Sequence, residues 1–240
     1  MKAFWDTRIN SETYTVVPGE NCVIGIQVRG RIHRVEGERS DPLRIAGITG
    51  ILTGPRKFHS LQNTKSLLIQ ISPLLLSRRI AVPMSEIRDA SLSLEDLFTK
   101  SEVSRLMEAC EEANVSDLDA SFVFEKFWKP KSLREDQDSY LSEAMQRIRA
   151  SFGEIGIRSL AEDLGVSQST LERGFKSRIG VNPKEFASLV RFRKALEHLG
   201  KTSNLTELAY GSGYYDQAHF IREFKKKTGV NPKKWSSLKS

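Results

Sequence analysis

The stretch GSGYYDQAHFIREFKKKTGVNPKKW at residues 211–235 ends in a segment, GVNPK, that the chain also carries at residues 180–184. Aligned backwards from GVNPK, residues 160–186 (LAEDLGVSQSTLERGFKSRIGVNPKEF) match residues 208–235. The two copies share a Leu-Ala pair, a turn glycine, a phenylalanine and a terminal aromatic residue. A solenoid needs about three repeats or more. Two copies therefore predict a duplicated module.

Each copy has the pattern of a helix-turn-helix. In the first copy Gly165 permits the left-handed turn that ends a short helix, and Ser167 is a good N-cap for a second helix over residues 168–178. In the second copy Gly213 is the turn residue and Asp216 the N-cap. Apolar residues recur at helical spacing and are predicted to face inward: Leu160, Ala161, Leu164, Leu171, Phe175 and Ile179, then Phe220 and Phe224.

GVNPK itself reads as a signal that ends one helix and starts the next. Its glycine ends the second helix, its asparagine (Asn182 or Asn231) is an N-cap, and its proline occupies the first helical position, where no amide donor is lost. Glu185 completes a capping box with Asn182. The helix that begins at Pro183 is predicted to run to about Leu199, roughly 25 Å. That length is suited to holding two recognition helices about one DNA turn, ~34 Å, apart.

Residues 141–240 resemble the DNA-binding domain of AraC/XylS-type transcription regulators. The match lies in residues 211–235, which follow the Gly-Tyr, Asp-Gln, His-Phe, Phe-Lys and Gly-x-x-Pro pattern of that family nearly throughout. Residues 1–130 resemble the β-rich N-terminal domain of one AraC subgroup through VPGENCVIGI, LTGP and VPMSEIRDASLSLEDLF. Where that subgroup often has RFxPGG, this chain has QISPLLL.

Side chains on the outer face of each second helix are predicted to read DNA in the major groove. By resemblance to the family, Ser169, Thr170 and Arg173 match positions that commonly approach bases. Arg173 suits guanine, Gln217 suits adenine, and Arg222 suits guanine or phosphate. The complete predicted set is Gln168, Ser169, Thr170, Arg173 and Lys176 in the first module, and Gln217, Ala218, His219, Arg222 and Lys225 in the second.

Several of these residues also have a purely structural interpretation. His219 either packs or bonds a phosphate. The run of lysines at residues 225–227 is expected to be a solvated helix end with phosphate contact as the alternative. Arg191 and Arg193 on the connecting helix are expected to face solvent or phosphate.

The N-terminal part of the chain is predicted to be β-rich. TYTVV, CVIGIQV, LRIAGITGIL and SLLIQI, within residues 11–72, are short and rich in β-branched residues, which favours a small β-sandwich or barrel. From about Pro73 the apolar period becomes helical, from Leu94 through Cys110 and on through LDASFVFEKFWK. The polar residues 131–139 are the predicted linker. The fold class is thus α+β with two domains: residues 1–130, cupin-like by the resemblance and followed by helices, and residues 140–240, two helix-turn-helix motifs joined by a long helix.

The distribution of charge favours a polyanionic partner for the C-terminal part. Residues 141–240 contain 18 Lys and Arg against 10 Asp and Glu, whereas the rest contains 19 against 20.

Cys22 and Cys110 have no CxxC partner and are expected to be buried thiols. The sequence has no long apolar run and no signal-like start, so a cytoplasmic protein without membrane contact is expected.

Enzymatic activity is not expected. His33 and His59 stand in no HxH or HExxH spacing, and neither a Walker loop, a GxSxG motif nor a Cys-His pairing occurs, so no metal or other cofactor is predicted. The resemblance implies promoter or operator DNA and RNA polymerase as partners, with a small-molecule effector and a homodimer as further expectations. Alternatively, the N-terminal domain only dimerises or docks a protein, because its apolar strands fit a packed core as well as a pocket.

Overall fold

The computed structural model describes residues 2–116, 119–120, 122–123, 138–199 and 204–237. Its N-terminal part contains two antiparallel sheets, with strand orders β1-β8-β3-β6-β9 and β2-β7-β4-β5. The strands are β1 Lys2–Arg8, β2 Glu12–Val16, β3 Cys22–Arg29, β4 Ile32–Glu36, β5 Arg39–Pro42, β6 Ala46–Thr49, β7 Arg56–Ser60, β8 Thr64–Ile71 and β9 Ser91–Ser93. The predicted β-rich half is confirmed.

The sequence analysis named four strand-like stretches, which overlap β2, β3, β6 and β8, and it missed β1, β4, β5, β7 and β9. β5 is polar and entirely exposed, and β1 and β9 lie outside the predicted β-rich region at residues 11–72. β1, β5 and β9 are edge strands, whereas the missed β4 and β7 are the two central strands of the four-stranded sheet and are rich in charged residues and histidine. Edge strands are held by backbone pairing to one neighbour and bury little, so their side chains carry a weak signal.

The five-stranded sheet is covered on both faces, which explains its imperfect alternation of apolar and polar residues. Ile24 and Ile26 of β3 and Ile69 of β8 are fully buried in the core that also contains the helices. Val23, Gly25 and other residues of the opposite face line a cavity shared with the four-stranded sheet. A strand buried on both sides reads as an apolar run rather than an alternation.

The helical pattern that follows is interrupted. After α1 (Pro73–Ser77) and a short turn at Met84–Glu86, a 3-10 turn at Leu94–Asp96 precedes α2 (Lys100–Val115). The turn has Leu97 as its C-cap, and Thr99 then N-caps α2 in a capping box with Glu102. The helical period predicted from Leu94 onward therefore belongs to two elements. The predicted continuation through residues 118–129 falls largely outside the described residues, as does most of the predicted linker at 131–139. Residues 138 and 139 of that linker are described, and a helix already begins at Ser139.

The C-terminal residues form the predicted helices. They are α3 Ser139–Ala150, α4 Ile157–Asp163, α5 Gln168–Arg178, α6 Pro183–His198, α7 Leu205–Gly211, α8 Gln217–Thr228 and α9 Pro232–Ser237. One apolar core runs from the sheets into α3–α6, and a second joins α6 to the last module through Phe192, Phe220 and Phe224. Among the described residues, every helix is too short or too polar to span a bilayer.

Both cysteines are buried free thiols, as predicted, and burial raises the pKa of each to about 12. Because the thiolate is the reactive form, we expect neither Cys22 nor Cys110 in the folded chain to react with a thiol reagent at pH 8, whereas the chain unfolded in guanidinium reacts at both. The folded pKa lies above the unfolded value of about 8.5, so this contribution to stability is lost as pH rises towards 12. Rapid labelling of the native chain would contradict the burial.

Candidate nucleic-acid interface

The first helix-turn-helix is formed by α4 and α5 and has the predicted turn and cap. Gly165 has a left-handed φ of +67°, and the hydroxyl of Ser167 accepts a hydrogen bond from the amide of Thr170 at 3.1 Å. Leu171 and Phe175 are fully buried on the inner side of α5. The outer side of α5 is therefore fixed by packing and capping and faces solvent.

The predicted readers of the first module lie on that outer side. Gln168, Ser169, Arg173 and Lys176 are exposed, and Thr170 is half-buried. The side-chain amide of Gln168 donates to Glu172 Oε1 at 2.9 Å, so this glutamine is already engaged in the absence of DNA. Arg173 combines an exposed position with a bidentate donor group, which makes it the best-placed reader of a guanine edge.

The second module, α7 and α8, repeats this geometry. Gly213 has a φ of +76°, and Asp216 accepts a hydrogen bond from the amide of His219 at 2.6 Å. Phe220 and Phe224 are fully buried on its inner side. Its turn and N-cap are those predicted from the sequence.

The residues of the second module that are predicted to contact DNA are not equally exposed. Ala218, Arg222 and Lys225 are exposed, but Gln217 and His219 are half-buried. Gln217 Oε1 accepts a hydrogen bond from the hydroxyl of Thr206 at 3.0 Å, and the His219 ring lies edge-on to Tyr214 with centroids 5.5 Å apart. The structural interpretation of His219 is thus supported by a packing contact.

The second module also presents an exposed aromatic residue that the sequence analysis did not single out. Tyr215 is 85% exposed beside the N-cap Asp216, at the position that corresponds to the half-buried Val166 of the first module. An exposed phenol at the start of a recognition helix can donate to a phosphate or a base edge. The alignment of the two copies could have revealed this residue, because the first copy has an aliphatic side chain, Val166, where the second has the aromatic Tyr215.

The connecting helix α6 is capped as predicted but uses its arginines differently. Asn182 and Glu185 form the capping box, with hydrogen bonds of 2.8 and 3.0 Å. Arg191 donates to the backbone carbonyl of Gly153, and Arg193 lines the cavity of the N-terminal domain. For Arg191 the prediction of a side chain that faces solvent or phosphate is wrong, because the Gly153 carbonyl binds it. Arg193 is half-buried at the cavity rim, and its contact with phosphate stays a prediction.

Lys227 is also placed differently from the prediction of a solvated lysine run. Its side chain is buried, and its Nζ lies 3.5 Å from Glu223 Oε2, which also accepts a hydrogen bond from Ser188 at 2.7 Å. Burial lowers the pKa of Lys227. Burial alone would raise the pKa of Glu223, but the Ser188 hydroxyl and the Lys227 charge outweigh it and the pKa is lowered. This group joins α6 to α8 and is structural.

A cavity of about 900 Å³ lies between the two sheets and reaches the C-terminal helices. Its apolar walls include Phe4, Val16, Val23, Phe58 and Leu68, and its rim includes Arg149 of α3 with Arg193 and Glu197 of α6. Arg149 pairs with Glu20 at 2.5 Å. Among the described residues Arg193 makes no ion pair. In the same residues no three His, Cys, Asp or Glu side chains cluster as a metal site.

A family model described as a helix-turn-helix domain matches residues 160–237. The HTH-type transcriptional activator RhaS of Salmonella arizonae is 33% identical over 88 residues, which are 35% of this chain and 31% of that relative. The chain thus matches about a third of the length of this curated relative.

Solved structures extend the likeness to the whole chain. ToxT from Vibrio cholerae O395 covers 99% of this chain, and 97% of its own length is matched, with a TM-score of 0.52 at 15% identity. ToxT from V. cholerae strain SCE256, solved with a bound unsaturated fatty acid, covers 98% with 94% of its own length matched, at a TM-score of 0.50 and 15% identity. At these identities the likeness is one of fold, and it confirms the predicted two-domain α+β class.

Proposed function

We propose that this chain, whose C-terminal residues 160–237 form a helix-turn-helix domain of the AraC/XylS type, is a transcription regulator that binds double-stranded DNA through two recognition helices in successive major grooves. The observation that carries the proposal is the pair of capped helices, α5 and α8, each with a buried inner side and an exposed basic outer side. Helix α6 joins them over 16 residues, about 24 Å.

The individual contacts are proposed from exposure. Arg173 and Arg222 are assigned to base edges or adjacent phosphates, and Lys176 and Lys225, further along each helix, to phosphates. Ser169 and Thr170 are small hydroxyl donors at the start of α5. Gln217 is assigned to adenine only if its bond to Thr206 opens on binding.

Selection of bound duplexes from a random DNA pool tests the proposed function. The full-length chain is expected to enrich a site with two conserved tracts about one helical turn apart. Affinity for that site is expected to fall steeply as salt increases, because phosphate contacts release counterions. A pool that stays random, together with a flat salt titration, would refute the proposal.

A second function, control by a small-molecule effector, is favoured by the cavity. An occupant would touch the sheets and the rim residues Arg149 and Arg193 of the C-terminal helices together, so binding would bias their arrangement. The lining combines apolar residues with charged ones such as Asp6, Arg8 and Glu20, and among the described residues the Arg193 guanidinium at the rim makes no ion pair. Apolar wall segments beside such a guanidinium suit an amphipathic molecule with one anionic group. ToxT, which has this fold, has been solved with an unsaturated fatty acid.

Thermal unfolding tests the proposed regulation by an effector. The full-length chain is unfolded in the presence of a panel of fatty acids and of alcohols with the same chain length. A matching acid at about 100 times its Kd should add about 2.7 kcal/mol of stability, and the alcohol clearly less. Arg193→Met should remove most of the gain, whereas the control Arg158→Met on the exposed side of α4 should retain it. If no molecule of a broad panel stabilises the chain, the alternative of a domain that only dimerises or docks a protein is favoured.

A further inference from the structure

The two copies of GVNPK have different surroundings. Gly180 of the first copy is buried with a φ of +95°, and a Cβ at this position would lie 2.8 Å from the backbone oxygen of Met84. Gly229 of the second copy is exposed, and its nearest such neighbour is Pro55 Cγ at 3.9 Å. The β-rich domain therefore packs tightly on the loop that follows α5 and only lightly on the loop that follows α8.

Charged side chains join the first copy to the β-rich domain. Arg88 donates two parallel hydrogen bonds to Glu185, at 2.7 Å to Oε1 and 3.2 Å to Oε2. Arg178, at the end of α5, donates to the backbone carbonyl of Ser77 at 3.0 Å and to Asp138 Oδ2 at 2.5 Å. A bidentate Arg–carboxylate pair fixes orientation as well as distance.

The same positions serve another purpose in the second copy. Lys234 stands where the first copy has Glu185 and cannot pair with an arginine. Lys227 stands where the first copy has Arg178, and its side chain turns inward to Glu223. The duplicated sequence has thus diverged at the two positions that contact the β-rich domain in the first copy.

The β-rich domain also contacts the second module. Val17, after β2, packs against the apolar core that joins α6 to α7 and α8. The β-rich domain therefore contacts the loop after α5 through Met84, the start of α6 through Arg88, and the apolar core that α6 shares with the second module through Val17.

Contact with the β-rich domain leaves the outer face of α5 free. The contact lies at the C-terminal end of α5 and in the following loop, whereas Gln168, Ser169 and Arg173 near its start are exposed. The contact therefore restricts the orientation of the first module and does not block its reading side.

We propose that Arg88 is a positioning residue for DNA recognition: its pair with Glu185 anchors the N-terminal end of α6, next to the loop that follows α5, and so keeps the first module at a fixed angle to the second. The chain then accepts one spacing of the two DNA tracts that it binds. The proposal rests on the proposed function. One inserted base pair moves one tract by about 3.4 Å and rotates it by about 34° relative to the other. Without the pair, the first module stays joined to the β-rich domain by the shared apolar core and the Met84 contact, but its orientation is less restricted and it can follow part of that movement.

The variants Arg88→Met, Glu185→Gln and their combination test the proposal. Methionine keeps the aliphatic stem of Arg88, and glutamine keeps the capping box of α6. Arg34→Met is the matched control, because it removes an Arg–carboxylate pair formed within the β-rich domain (Arg34 and Glu36, 2.5 Å). Each protein is titrated with the selected duplex and with duplexes that carry one or two extra base pairs between the tracts.

We expect the wild-type chain and Arg34→Met to lose about tenfold or more in affinity for one inserted base pair, since the second contact is then strained. Both single variants and the double variant should lose less than about threefold, and to the same extent, because both changes break one interaction. An unchanged spacing penalty, strictly additive effects in the double variant, or tighter binding of Arg88→Met to every duplex would overturn the proposal.

Hydrogen exchange of the free proteins provides a readout that needs no DNA. Amides of residues 179–186 should exchange several-fold faster in Arg88→Met and Glu185→Gln than in the wild-type chain or Arg34→Met. Unchanged exchange would overturn the positioning contact even if the chain selected no duplex. Failure of the DNA selection with altered exchange would instead refute the proposed function.

Discussion

Arg173→Ala is expected to weaken binding to the selected duplex by about 5- to 150-fold, equivalent to about 1–3 kcal/mol. Arg173 is exposed on the outer face of α5, whose position is fixed by the buried Leu171 and Phe175 and by the Ser167 cap. A guanidinium so held can donate two hydrogen bonds to one guanine, and alanine leaves those acceptors without a partner. Fluorescence anisotropy with the selected duplex and with single-base variants of it measures the effect.

The pattern across sequences separates a base contact from a phosphate contact. If Arg173 contacts a base, Arg173→Ala should lose the preference for one particular base pair. It should then bind duplexes that are substituted at this base pair about as well as the wild-type chain binds them. Lys176→Ala, the comparison on the same helix, should weaken binding to all duplexes alike and reduce the salt slope by about one. An equal loss by Arg173→Ala on every duplex would assign this arginine to phosphate.

Phe224→Ala is expected to lower the free energy of unfolding by about 3–5 kcal/mol. Phe224 is fully buried at the centre of the second module, with its ring centroid 5.6 Å from Phe192, 5.6 Å from Phe220 and 6.2 Å from Trp235. Its removal leaves a cavity between α6, α8 and α9 that these rigid rings cannot fill. Denaturant unfolding followed by circular dichroism measures the change.

Tyr215→Ala is the matched control, because it removes an aromatic ring of the same module that is 85% exposed. Its effect on unfolding should stay within about 0.5 kcal/mol. The Phe224 variant should also lose the contribution of the second module to DNA binding, whereas Tyr215→Ala should affect at most the contact of its own hydroxyl. Equal stability of the two variants would contradict the described core.

Prediction from the sequence succeeded best where the determining interactions are local. The caps at Ser167, Asn182 and Asp216 and the left-handed glycines at 165 and 213 involve contacts within about four residues of one another, so the sequence window contains both partners. The inward phenylalanines follow from helical periodicity, which is likewise local. The resemblance to AraC/XylS regulators is carried by these same residues, and the comparisons support it for residues 160–237.

Prediction failed where a distant segment supplies the environment. Nothing near Lys227 indicated that it would be buried, or that its i,i+4 partner Glu223 would accept a hydrogen bond from Ser188 of α6. Nothing near Arg193 indicated a cavity wall formed by strands far earlier in the chain. Strands β1, β4, β5, β7 and β9 were missed because backbone pairing with partner strands, more than their own composition, determines their structure.

The sequence by itself determined the duplicated module, its turns, its caps and its basic outer faces, because short-range sterics and hydrogen bonds specify them. Only the tertiary structure decided what each copy contacts. GVNPK is identical in both copies, yet the first meets Met84 and lies next to the Arg88–Glu185 pair, whereas the second is largely exposed. Packing between remote segments assigns such roles, since it depends on which surface the folded chain brings opposite each copy.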